Sequence, residues 1–79
     1  YRLLEATMHT EKILIERYGP YLTLEQLAEL LHREPQSLRT SLRLESHALA
    51  PLARMRRKVG RRMYFRATDV ADFMERQHA

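Results

Sequence analysis

The sequence predicts a mainly α domain carrying one small β-hairpin, and three observations in its 79 residues lead there. Two short segments with helical apolar spacing, 24–31 and 35–44, are separated only by His32-Arg33-Glu34. The stretch from Arg54 to Arg66 holds seven cations and no acid, with apolar and basic residues alternating on either side of Gly60. A further helical segment opens at Thr68-Asp69.

The elements follow in order. From Leu3 to about Tyr18 neither Gly nor Pro interrupts a helix, and Leu4, Met8 and Ile15 form an apolar stripe with Leu14 close to it. Thr7, His9 and Thr10 weaken that pattern. Gly19-Pro20 ends it. Thr23 is an N-cap, and Gln26 three residues on completes a capping box, with Leu22 and Leu27 at the positions of a hydrophobic staple. Leu24, Leu27, Ala28 and Leu31 then share one face of a helix over 24–31, whose solvent face carries Glu25 and Glu29. Pro35 suits the first position of the next helix, where a missing N–H costs nothing. That helix runs over 35–44 with Leu38 and Leu42 inward, and the small Ser37 and Ser41 allow its neighbour to approach closely.

Residues 45–53 read as a connection in which Pro51 breaks any helix. In the ribbon over 54–66, alternation assigns Met55, Val59, Met63 and Phe65 to an inner face and Arg54, Arg56, Lys58, Arg62, Tyr64 and Arg66 to an outer one, with Gly60 at or beside the turn. Thr68 caps a last helix over 68–77, Asp69 favours its positive end, and Val70, Phe73 and Met74 form its apolar stripe. Met8, Met55, Met63 and Met74 read as core filler. Assembled, these pieces make a winged helix-turn-helix, mainly α with a small β-hairpin. It is one domain over 1–79, with an extra N-terminal helix at 1–18, the helix-turn-helix at 23–44, the wing at 54–66 and the C-terminal helix at 68–77.

The net charge of +4 is unevenly placed. Residues 1–34 hold four basic side chains against six acids, residues 35–66 nine against Glu45 alone, and residues 67–79 one against three. The middle is thus a strong cation between mildly acidic flanks, which points to a polyanionic partner. A solvated strand with seven cations in thirteen residues would repel itself at low salt. An enzyme finds no support. There is no cysteine, His9, His32, His47 and His78 are scattered without metal-ligand spacing, Ser37, Ser41 and Ser46 lack an evident base, and the two glycines cannot build a phosphate-cradling loop. No cofactor or metal is expected. No apolar run approaches the ~20 residues of a membrane span and no signal peptide is visible. With no cysteine, the expectation is a cytoplasmic protein, nucleoid-associated when bound.

Tyr21-Leu22-Thr23-Leu24-Glu25-Gln26-Leu27-Ala28-Glu29-Leu30-Leu31, followed by Gly60-Arg61-Arg62-Met63-Tyr64-Phe65-Arg66-Ala67-Thr68-Asp69-Val70-Ala71-Asp72-Phe73-Met74, resembles the excisionase-type members of the MerR-like winged helix-turn-helix group. The resemblance covers 21–74. It implies a small protein of a phage, plasmid or integrated element that binds and bends attachment-site DNA and directs a tyrosine-type integrase toward excision. Many such proteins also regulate transcription. The chain departs from the family pattern at His32-Arg33, where a small and then an aliphatic residue are usual, in a longer connection from Leu44 to Leu52, and in the helix before Gly19.

Double-stranded DNA is the expected partner. The outer face of the helix over 35–44 offers Gln36, Arg39, Thr40 and Arg43 to base edges or nearby phosphates. Arg56, Arg57, Lys58, Arg61 and Arg62 of the wing are assigned to phosphates or the adjacent minor groove, and the helix start at Thr23 to a phosphate through a backbone N–H. Tyr64 either stacks on a sugar or base or packs on an arginine stem. A single small module buries only about 600–1,000 Å², which favours a homo-oligomer or cooperative neighbours on DNA. Residues 1–18 offer either protein–protein contact or cover for a thin core. The alternatives are a transcriptional regulator of the same kind of element and a basic protein-interaction module. RNA is set aside because no aromatic platform for stacking bases is evident.

Overall fold

Leu22, Leu27, Leu38, Leu42, Leu52, Phe65 and Val70 are completely buried, and their meeting point sets the architecture. The computed structural model describes residues 2–44 and 47–76. Along the chain run α1 (Arg2–Tyr18), β1 (Tyr21–Thr23), α2 (Leu24–Leu31), α3 (Pro35–Arg43), a 3-10 turn (His47–Leu49), α4 (Ala50–Met55), β2 (Arg57–Val59), β3 (Arg62–Arg66) and α5 (Ala67–Glu75). Each element except β2 places a residue in the buried core. The result is mainly helical, with a three-stranded antiparallel sheet in the order β1-β3-β2 and the arrangement of a winged helix-turn-helix. No helix among the described residues is long and apolar enough to cross a membrane.

The helix-turn-helix forms where local chemistry dictates it. The Thr23 hydroxyl accepts from the Gln26 amide at 3.2 Å, and the Gln26 side chain accepts from the Thr23 amide at 3.0 Å. Both partners of the capping box are therefore satisfied. α2 ends as His32 takes the left-handed conformation with φ 57°, sending its own amide and that of Arg33 back to the carbonyls of Glu29 and Ala28. Glu34 then caps α3 by accepting from the Ser37 amide at 2.8 Å, with Pro35 in the first turn. α3 buries Leu38 and Leu42 as expected.

Several expectations are corrected. Pro51 does not break a helix. It stands in the first turn of α4, where no amide is required of it, and Leu52 and Ala53 beside it are buried. Residues 45 and 46 lie outside the described residues. The ribbon is also shorter than 54–66, because Arg54 and Met55 belong to α4 and the paired strands start at Arg57.

The strand faces differ too. Gly60 and Arg61 make a two-residue turn with φ 62° at Gly60, the type II′ pattern that places glycine first. Such a turn sets Val59 opposite Arg62, Lys58 opposite Met63 and Arg57 opposite Tyr64. Val59 therefore shares a face with Arg57 and Tyr64, not with Met63 and Phe65, and is 66% exposed. Tyr21–Thr23, which at the sequence level reads only as the approach to a cap, is a third strand pairing with β3 so that Leu22 faces Phe65 in the core.

α1 buries a different stripe from the expected one. Leu4, Met8 and Ile15 are exposed, so Met8 is no core filler. Leu14 and Thr7 are buried, and Tyr18 packs at the margin. The helix is rotated because polar contacts on the neighbouring face hold it. Thr10 donates to Glu75 at 2.7 Å and Thr68 donates to Glu11 at 2.6 Å. Thr68 is thus not the cap of α5, which starts one residue earlier after Arg66. The apolar face of α5 is as expected at Val70 and Phe73, with Ala67 and Ala71 added. Its expected last residue, 77, lies outside the described residues.

Candidate nucleic-acid interface

The exposed face of α3 carries Gln36, Arg39 and Arg43, with Thr40 half-buried among them. The spacing i, i+3, i+4, i+7 puts all four on one side, opposite Leu38 and Leu42. Arg39 is the one that meets the wing. Together with Arg61 and Arg62 of the hairpin and Thr23, Leu24 and Glu25 at the start of α2, it lines a cleft of about 330 Å³ floored by Met63. Residues far apart in the chain thus converge because β1 joins β3 edge to edge and carries the α2 start to the hairpin.

Thr23 enters this cleft in a different role from the expected one. Its amide is already held by Gln26, so it is not a free donor. The helix start retains the amides of Leu24 and Glu25, which as first-turn groups lack an intrahelical partner. Glu25 is an acid among the cleft's cations that sequence spacing did not place there.

Arg56 is occupied otherwise. Its guanidinium donates to the Ala53 carbonyl at 3.0 Å and the Leu42 carbonyl at 3.4 Å, tying the end of α3 to the end of α4. Arg57 and Lys58 do not join the Arg39 cleft. They line a second groove of about 540 Å³ with Tyr21, Val59 and Tyr64. Gln36, Thr40 and Arg43 line neither.

Three acids are held in ion pairs, and none of the three lines the Arg39 cleft. Among the described residues the ion pairs are Arg17–Glu29 at 3.7 Å, Arg66–Asp69 at 3.1 Å and Arg76–Asp72 at 2.8 Å. Arg39, Arg57, Lys58, Arg61 and Arg62 have no ion-pair partner among those residues. The hydrogen bond from Arg66 to Asp69, followed by their mutual attraction, raises the Arg66 pKa further and keeps that guanidinium charged. Behind the interface, Tyr18 donates to Glu29 at 3.0 Å. Burial chiefly, and then this bond, raise the phenol above its ordinary value.

An unpaired cationic face on a capped helix pair, flanked by a hairpin, agrees with the comparison against known families, in which residues 21–78 match the helix-turn-helix domain model. The chain belongs to the helix-turn-helix domain family. No curated protein and no solved structure gives a match. This helix-turn-helix domain is a DNA-binding one, which supports sequence-specific binding to double-stranded DNA, and the family is found in excisionase-like proteins. The match begins at β1, so α1 is an element outside it.

Proposed function

We propose that this domain, folded as a single unit over 1–79, is an excisionase of a phage or mobile element, shaping attachment-site DNA so that a tyrosine-type integrase runs toward excision. The observation that carries the reading is the cleft joining Arg39 of α3 to Arg61 and Arg62 of the wing. It lets one rigid body engage a major groove and the adjoining backbone together. The motifs at 21–31 and 60–74 add the excisionase character by resemblance.

In this reading α3 lies in the major groove and presents Gln36, Arg39, Thr40 and Arg43 to base edges or nearby phosphates. Arg61 and Arg62 at the hairpin tip grip phosphates or the minor groove. Arg57 and Lys58 extend the cationic strip along the hairpin, and the first amides of α2 donate to a phosphate oxygen. Arg56 chiefly holds α3 against α4 and offers its remaining N–H groups to the backbone. Gripping contacts weaken all sequences alike when lost, whereas base contacts change the preference among them.

Footprinting of the purified protein across an element's attachment site and its promoter tests the proposal. Repeated protected sites beside the recombination core, with DNA bending, are the expected result. Protection confined to the promoter would replace excisionase with transcriptional regulator.

A further inference from the structure

The second groove shares Arg57 and Lys58 with the duplex contacts just described, but its two tyrosines take no part in them. It lies on the sheet face turned away from the core. Register places Tyr64 there in the central strand, with Arg57 directly across on one side and Thr23 on the other. Tyr21, two residues before Thr23, shares that face and is 47% exposed. Val59 adds an exposed apolar surface beside the turn, and Lys58, which register sets opposite Met63 and not on the outer face expected for it, borders the groove from the edge strand. No acid among the described residues lines it, and Asp69 is already paired with Arg66. The absence of an aromatic platform, expected from sequence, is therefore corrected. Two tyrosines 43 positions apart in sequence line one groove because β1 pairs with β3.

We propose that this face binds single-stranded DNA, with bases stacking on Tyr21 and Tyr64 and the backbone following Arg57 and Lys58. Flat π surfaces bordered by cations are what an unpaired strand needs, because every base has a stackable face and every linkage a charge. An extended duplex offers no such faces, since its bases are already stacked. DNA rather than RNA follows from the domain itself, which belongs to a DNA-binding family. A strand freed where the duplex is distorted would lie within reach.

The chain has four tyrosines and no tryptophan, so tyrosine fluorescence reports the contact directly. A twelve-nucleotide oligo(dT), an oligo(U) of equal length, poly-glutamate and a mixed-sequence duplex are titrated in parallel. Quenching by oligo(dT) is the expected result. Tyr21→Ala and Tyr64→Ala each weaken that binding by about tenfold or more, the factor one stacked base supplies. Tyr21→Phe and Tyr64→Phe retain it, and duplex affinity stays within about twofold throughout. Tyr21→Ala alters only an exposed edge residue, so it tests the face even if Tyr64→Ala folds poorly. Absence of oligo(dT) binding, tighter binding of oligo(U), equal binding of poly-glutamate, or parallel loss of duplex and single strand would each overturn the proposal. Wild-type binding to the duplex in the same series shows separately whether the proposed duplex contacts hold.

Discussion

Thr68 on α5 donates to Glu11 on α1 at 2.6 Å, and the same two helices exchange a second bond in the opposite sense, from Thr10 to Glu75 at 2.7 Å. Each helix supplies one hydroxyl and one carboxylate, so the pair acts as a clasp holding α1 on the domain. α1 has few large buried residues, Leu14 and the margin of Tyr18, and it leaves Leu4, Met8 and Ile15 in solvent. With so little apolar cover, polar contacts set its rotation. Replacing Thr10 and Thr68 together by Ala should cost about 1–2 kcal/mol, the sum of two modest net hydrogen bonds. Thermal denaturation measures it. Unchanged stability would mean that the clasp contributes nothing.

Thr7 gives the opposite sign. It is buried, and its hydroxyl has no partner among the described residues. Thr7→Val keeps the shape and removes the unsatisfied group, so it should stabilise the fold by about 1 kcal/mol. Urea denaturation should show a higher midpoint with an unchanged slope.

Val59 and Phe65 both belong to the hairpin, but register separates their fates. Val59→Thr should change stability by less than about 0.5 kcal/mol, as at an ordinary surface position. Phe65→Ala, which empties a completely buried site opposite Leu22, should cost about 3–5 kcal/mol. If Val59→Thr were the costlier change, the hairpin register described above would be wrong.

Arg56 should behave as a structural residue before a DNA contact. It is exposed and its bond to Leu42 is long, so Arg56→Ala should cost only about 1 kcal/mol. A melting curve and a duplex titration on the same variant separate the roles. Full stability combined with a loss of affinity equal to that of Arg61→Ala would make Arg56 a phosphate contact instead.

What could be read from sequence was what is encoded locally. The Thr23–Gln26 box, the Pro35 start and the Leu38–Leu42 pair each require only residues within one turn of one another, and all three stand as expected. What escaped depended on partners distant in the chain. β1 is a strand because β3 is beside it, and the face of Val59 follows from whether Gly60 and Arg61 form the turn. α1 rotates because of Glu75 and Thr68 on another helix. Pro51 is ambiguous by nature, since the same ring that ends one helix starts another. The candidate site divides similarly. The α3 face was legible from its spacing, whereas the meeting of Arg39 with Arg61 and Arg62, and of Tyr21 with Tyr64, exists only through the sheet. Tyr21-Leu22-Thr23 did carry a signal, a short alternation of strand-favouring residues ahead of a cap.

The central claim is that α3 and the wing grip duplex DNA as one surface, and a salt series tests it most directly. Affinity for a mixed-sequence duplex is measured by gel shift or anisotropy across a range of salt concentrations. With about four or more phosphate contacts at a slope near −0.9 each, log K should fall with log[salt] at about −3.6 or more steeply. The Arg61→Ala, Arg62→Ala double variant should be shallower by about 2, while Arg39→Ala should chiefly flatten the preference among sequences. A salt-independent affinity, or a slope the double variant leaves unchanged, would contradict the account.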